Sequence, residues 1–270
     1  FFRELFIFFD FKKIEKNYKN LFFNENEYTF SYLKDYILSK KNKSNIIVLT
    51  MENIENPYCK TIQIKNKFLL KILFLTLNCK YIYTTSTNLN NSIFLRSKVS
   101  RSKYIYLQHS PVSLSMIYDE KAFLYFDAIQ AINKSQYNDV LDINKLYKKK
   151  IKPFKSKYKF FNKKNYFHGK KVDVLIAPTW HTDFYKLNIH EKLFKNFKNN
   201  NISFEFRPHP MSIKKNEFQL KDDKIKINQD KLIDFKKFKF LVSDWSGIFI
   251  EFSIINKTKS VLINTDKKIL

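Results

Sequence analysis

Leu241–Phe252 reads LVSDWSGIFIEF. An apolar run ends at Val242, five polar or small residues follow from Ser243 to Gly247, and an apolar pattern restarts at Ile248. That order predicts a strand, a tight turn and the start of a helix. Ser246 or Asp244 is placed to cap the helix, and Gly247 allows a ligand close to the backbone. The first N–H groups of a helix have no internal partner and its dipole favours negative charge, so such a turn suits a phosphate. The plainer reading of this stretch alone is a capped helix with no ligand.

Working outward, the second half repeats the pattern. Strands are expected at Val172–Ala177, Ser203–Phe206, Lys224–Ile227, Phe240–Val242 and Ser260–Ile263. Helices are expected at Ile189–Lys198, Lys231–Phe235 and Ile248–Ile255. In the first half, strands are expected at Asn45–Thr50, Thr61–Ile64, Tyr81–Thr85, Tyr104–Leu107 and Ala128–Ile132. Helices are expected over Phe1–Leu21, Tyr32–Ser39, Phe68–Leu77, Lys121–Phe126 and Lys134–Tyr147. Strands alternating with helices define an α/β chain with parallel sheets. Tyr147–Lys171 is Lys-rich, contains Pro153 and Gly169 and lacks periodicity, so the boundary between two domains, 1–155 and 156–270, is placed there.

Ligands of doubly wound sheets bind outside the carboxyl ends of the strands. Polar signatures follow three strands of the second half, at Thr179, at Arg207-Pro208-His209-Pro210 and at Asp244–Gly247. In the first half, Tyr104–Leu107 runs into Gln108-His109-Ser110-Pro111. Histidine titrates near neutrality and serves as a base or as a cation beside phosphate. Taken singly, His109 and His209 read as loop histidines, but together they mark one strand edge in each half. Arg207 is one of four arginines among 50 basic residues. Its planar fork suits a diphosphate or, alternatively, a carboxylate partner within the fold. His181 follows a strand end and is placed to line a cleft, whereas His168 and His190 are expected on the surface.

Composition excludes several classes. The chain has 270 residues, 44% of them hydrophobic, enough for packed cores. Net charge is +25, but the charge is almost all Lys and is spread along the chain. Nucleic-acid readout leans on Arg forks, so no nucleic acid is expected; attraction to an anionic membrane surface or phosphorylated substrate remains. Cys59 and Cys79 form neither a metal motif nor a disulfide framework. No apolar run reaches the roughly 20 residues that span a bilayer. There is no GxGxxG, Walker A, GxSxG, HExxH or DxD, and neither a metal nor a cofactor is called for. Residue 1 is Phe and the chain stops just after a strand-like run, so both ends are expected to be trimmed.

The stretches YIYLQHSPVSLSMIYDEKAF (Tyr104–Phe123), VLIAPTW (Val174–Trp180), FRPHP (Phe206–Pro210) and LVSDWSGIFIEF together resemble the CDP-glycerol glycerophosphotransferase family, the teichoic-acid and capsule polymerases and primases. The resemblance covers residues 100–265, and its HSP, RPHP and SDWSG variants are similar to a Gram-negative branch. It implies a GT-B-like fold, two Rossmann-like domains with parallel sheets facing an inter-domain cleft. It implies His109 as the acceptor-side catalytic base, with Ser110 beside it, and His209 as a second catalytic residue near the donor pyrophosphate. Arg207, Thr179, Asp244, Ser246 and Gly247 would then bind the donor phosphates and nucleotide. Two positions depart from the family: a His-Gly-Thr motif is here His109-Ser110-Pro111, and the DYSS turn is here Asp244-Trp245-Ser246-Gly247.

The expected function is transfer of glycerol phosphate, or a related polyol phosphate, from a CDP-activated donor to a polymeric or lipid-linked surface acceptor, on the cytoplasmic face of the membrane. The alternatives are a GT-B glycosyltransferase using a sugar nucleotide, and a non-catalytic basic module that binds polymer or membrane.

Overall fold

The computed structural model describes residues 2–156, 168–180, 183–220, 222, 224–230, 233–258 and 260–265. The chain forms two compact units, Phe1–His109 with Asp119–Lys157, and Ser110–Tyr118 with Tyr158–Leu270.

The first unit begins with helix α1 (Phe2–Ile14) and strand β1 (Asn20–Asn24). Helix α2 (Glu27–Leu38) and strands β2 (Ile46–Thr50) and β3 (Lys60–Gln63) follow, then α3 (Lys67–Thr76), β4 (Tyr81–Thr84) and β5 (Lys103–Tyr106). After β5 the chain passes to the second unit for Ser110–Tyr118, which holds the one-turn helix α4 (Leu114–Ile117). It returns for β6 (Ala128–Ala131), α5 (Lys134–Tyr147) and β7 (Lys152–Lys155). The seven strands are ordered β3-β2-β1-β4-β5-β6-β7, all pairs parallel. This is the doubly wound order, with its switch point between β1 and β4.

Strand β1 begins inside the stretch expected to be helical, Phe1–Leu21, and runs past its end. Leu21, Phe22 and Phe23 are all buried, because a central parallel strand is covered on both faces and shows no alternation. Phe22 stacks on Tyr83 among the α2 residues Phe30, Leu33 and Ile37, while Phe23 packs on Phe74 and Phe94. Each fully buried phenylalanine is worth about 1.5–3 kcal/mol. Strand β7 falls within the expected linker. It is an edge strand, where Pro153 removes no hydrogen bond the sheet needs.

The second unit carries β8 (Val172–Ile176), α6 (Asp183–Lys186), α7 (Ile189–Asn199), β9 (Phe204–Phe206), α8 (Pro210–Lys214), β10 (Phe238–Ser243), α9 (Gly247–Asn256) and β11 (Ser260–Leu262). Its order is β11-β10-β8-β9, again parallel throughout. The expected strand Lys224–Ile227 is reduced to a single parallel bridge from Ile227 to Phe206. The bridge takes the place a further strand would have beyond β9. Val174, Ile176 and Val242 pack under α6 and α7, and Leu175 and Leu241 under α9. The switch point of this sheet lies between β8 and β10.

Candidate active site

The carboxyl ends of β8 and β10 are tied together. Ser243 Oγ donates to the Ala177 carbonyl at 2.6 Å, and Thr179 N–H donates to Asp244 Oδ1 at 2.7 Å. Asp244 is buried, and its carboxylate holds the β8 turn against the β10 turn. Trp245 is anchored through its indole N–H to the Thr265 carbonyl at 2.6 Å. Ser246 occupies the N-cap position of α9, yet its side chain does not make the expected cap bond to the helix. Among the described residues the Ser246 hydroxyl has no partner, and the N–H groups of Gly247 and Ile248 have no acceptor. The switch point therefore presents two backbone donors and one hydroxyl at the positive end of a ten-residue helix.

Gly247 has a different reason from the one its sequence context suggests. A Cβ there would overlap Ser110 Oγ and lie 3.4 Å from Ser110 Cβ and 3.5 Å from Pro111 Cδ. The close approach expected of a ligand is made by the chain's own serine. The two departures from the family pattern thus meet: a side chain is gained at Ser110 where one is given up at Gly247.

Arg207 follows β9, the neighbour of β8. Its backbone N–H extends the ladder to the Ile176 carbonyl at 2.8 Å, and its Nη1 donates to Asn228 Oδ1 at 2.7 Å. Asn228 in turn donates through Nδ2 to Glu205 Oε2 at 3.0 Å, which settles the amide's orientation. Burial would raise the Glu205 carboxyl, but hydrogen bonds from Lys226, Lys237 and Asn228 outweigh it and hold it below the usual carboxylate range. Arg207 is aimed by an amide that is itself fixed by a buried carboxylate. Asn228 carried no sequence signal, since the strand it follows is only a bridge.

His209 is the N-cap of α8, its Nδ1 accepting from Met211 N–H at 3.1 Å. That bond puts the proton of the neutral ring on Nε2, as a donor. Its ring lies near-parallel to Trp180, over which Lys215 Nζ sits 4.3 Å from the ring centroid. Thr179, Arg207, His209, Asp244, Ser246, Gly247 and Ser110 thus gather at the strand ends and turns of the second unit.

His109 belongs to the first unit. It follows β5, with Tyr106 Oη 3.3 Å from its Nδ1 and the Tyr32 ring 6.2 Å away, edge to face. Burial lowers its pKa to about 4, and a hydrogen bond to the Thr85 backbone only partly offsets this. The imidazole is neutral at pH 7, the form that accepts a proton.

The remaining histidines separate. His168 is exposed, as expected. His190 is not on the surface: it is buried among Phe184, Tyr185, Phe194, Phe206 and Phe218, facing inward on α7. Its helix alternates apolar and charged residues, and the histidine falls on the apolar side. His181 lies outside the described residues. Asp222 pairs with Lys198. Among the described residues no three His, Cys, Asp or Glu side chains assemble as a metal set, and no helix is long and apolar enough to cross a membrane.

Two doubly wound parallel units in one chain, one ending in a donor-rich turn beside Arg207 and His209, define the class: an α/β protein of the GT-B-like fold. The wall teichoic acid polymerase TagF aligns with 96% of this chain and 77% of its own at 13% identity, with a TM-score of 0.57. A second TagF structure, a histidine-to-asparagine variant soaked with CDPG, aligns with 94% of this chain and 76% of its own at 13% identity, with a TM-score of 0.52. No curated protein sequence matches the chain. Residues 143–259 match the CDP-Glycerol:Poly(glycerophosphate) glycerophosphotransferase family.

Proposed function

We propose that the protein transfers glycerol phosphate from CDP-glycerol to a hydroxyl at the end of a poly(glycerol phosphate), teichoic-acid-like or capsular acceptor. The observation that carries this is the family match over residues 143–259, which spans both the Arg207–His209 and the Asp244–Gly247 strand ends. The acceptor oxygen attacks the glycerol-bearing phosphorus, the P–O bond of the diphosphate breaks, and CMP leaves. His109 takes the acceptor proton; its neutral imidazole is available across the physiological range. A loose phosphoryl-transfer transition state demands little proton movement before the new bond forms, so a weak base suffices. Charge on the departing nucleotide is met by Arg207, by His209 Nε2–H, by the Ser246 hydroxyl and by the Gly247 and Ile248 N–H groups. Fixed donors of this kind are usually the largest catalytic term. Thr179 and Asp244 act by holding the two turns together.

The acceptor reading extends to a membrane surface. Phe2, Phe6 and Phe9 stand exposed along one side of α1, and Phe68 is exposed at the start of α3. Asn66, the cap of α3, donates its N–H to Glu4 of α1 at 2.8 Å. Aromatic residues interleaved with Arg3, Lys12, Lys13, Lys67 and Lys71 suit an anionic lipid interface, where a lipid-linked acceptor would be met.

The test is transfer from CDP-glycerol by the full chain, with His109→Ala and His209→Ala alongside. The expected loss is about 10²–10⁴-fold in turnover for His109→Ala. His209→Ala is expected to abolish transfer likewise and, in addition, to weaken donor binding. Undiminished transfer in either variant, or thermal stabilisation by UDP- or CMP-sugars but not by CDP-glycerol, would overturn the reading.

A further inference from the structure

The first unit has its own switch point, and its chemistry differs from that of the second. β1 ends at Asn24, and the turn to α2 is Asn24-Glu25-Asn26. Asn24 Nδ2 donates to the Asn26 carbonyl at 2.7 Å, Asn24 Oδ1 accepts from Thr29 Oγ1 at 2.9 Å, and Asn26 Oδ1 accepts from Thr29 N–H at 2.9 Å. The first N–H of α2, that of Glu27, donates to Glu52 Oε2 at 3.0 Å. Two of the backbone donors that would hold a phosphate in a dinucleotide-binding turn are therefore taken, one of them by a carboxylate. The turn has no glycine, and the wiring of its two asparagines leaves Glu25 outside it.

Glu25 is exposed at the carboxyl edge of the sheet, yet burial by surrounding protein raises its carboxyl pKa, with a side-chain hydrogen bond to Ser86 opposing the shift. The strand register puts Glu25 in one row with Ser86 and with Gln108, the residue before His109. Phe23 pairs with Thr84 and Thr84 with Tyr106, so Glu25, Ser86 and Gln108 continue one row across β1, β4 and β5. His109 is the next residue, and its ring bonds to the backbone of Thr85, beside Ser86. Two strand spacings, about 10 Å, separate the backbones at the two ends of that row.

We propose that Glu25, with Ser86, forms the subsite for the terminal polyol of the acceptor, accepting hydrogen bonds from its hydroxyl groups and setting the attacking oxygen against the His109 imidazole. The proposal rests on the transfer reading above and names the acceptor half of it. A carboxylate accepts from two adjacent hydroxyls at once and repels a phosphate, so the subsite selects a polyol end over a phosphorylated end. Glu25 is a binding and specificity residue; proton transfer stays with His109.

The experiment is calorimetric titration of the full chain with a glycerol phosphate oligomer bearing a free glycerol end and, separately, with CDP-glycerol, for the parent, Glu25→Gln and Glu25→Ala. The expected result is a roughly tenfold or greater weakening for the oligomer in Glu25→Ala and a smaller one in Glu25→Gln, whose amide still accepts one bond. CDP-glycerol binding stays at the parental value, and in turnover only the acceptor KM rises. Unchanged oligomer binding in both variants, or no oligomer binding by the parent, overturns the subsite. If the parent fails to bind CDP-glycerol while Glu25→Ala still loses the oligomer, the donor reading fails and the subsite stands.

Discussion

In the first unit the turn at the switch point is Asn24-Glu25-Asn26, and the N–H groups of Glu27 and Thr29 are taken by Glu52 and Asn26. In the second the turn is Asp244-Trp245-Ser246-Gly247, and among the described residues the Gly247 and Ile248 N–H groups and the Ser246 hydroxyl are left open. The same doubly wound topology thus ends in a carboxylate in one unit and in donors beside Arg207 and His209 in the other. Fold order sets where a ligand binds, but the side chains and the state of the N–H groups set its charge. On the proposed transfer an anionic diphosphate would go to the second unit and neutral hydroxyls to the first.

The effect on ligand binding that would break this contrast is expected at Arg207. Asn228→Ala removes the amide that aims the guanidinium and leaves Glu205 short of a donor. CDP-glycerol binding should weaken by roughly tenfold, about 1.4 kcal/mol, with acceptor binding unchanged. Titration of both ligands checks it. Equal loss of both would mean that the unit had come apart rather than that Arg207 had been misaimed.

A second effect, on stability, is expected where the two departures from the family meet. Gly247→Ser places a Cβ on Ser110 Oγ and should cost about 1–3 kcal/mol of stability. Ser110→Gly in the same chain should recover most of that loss. Denaturant melts of the parent, both single variants and the double variant give the coupling directly, and additive losses would refute the packing explanation.

A third effect, on the pH dependence of stability, concerns His109. Its folded pKa, about 4, lies below the ordinary value near 6.5, so the unfolded chain binds more protons between those limits. Stability should therefore fall as pH drops through that window, by about 3 kcal/mol at most. His109→Gln, which does not titrate, should show a shallower decline of Tm from pH 7 to 4. Identical declines would contradict the buried, neutral imidazole.

Much of this was legible in the sequence wherever local signals agree. α5 runs from Lys134 to Tyr147, the span its periodicity predicts, and β8 begins at Val172 as expected. β1 was hidden because a strand buried on both faces has no alternation, and aromatic residues at helical spacing run directly into it. That omission hid Glu25 as well: with β1 in place, Glu25 stands at a strand end like His109, Arg207 and Asp244. The site residues of the second unit were legible by position but not by partner. Nothing in the sequence says that Asp244 holds Thr179, that Ser246 leaves its cap bond unmade, or that the space beside Gly247 is filled by a serine more than a hundred residues earlier. Those facts depend on contacts between strands distant in sequence.

The division between donor and acceptor units is the central claim, and paired titrations test it most directly. CDP-glycerol and a glycerol phosphate oligomer would each be titrated into the full chain, into Arg207→Ala and into Glu25→Ala. The account predicts a crossed result: Arg207→Ala weakens CDP-glycerol alone, and Glu25→Ala weakens the oligomer alone. CDP-glycerol affinity that falls in Glu25→Ala and survives in Arg207→Ala would contradict it.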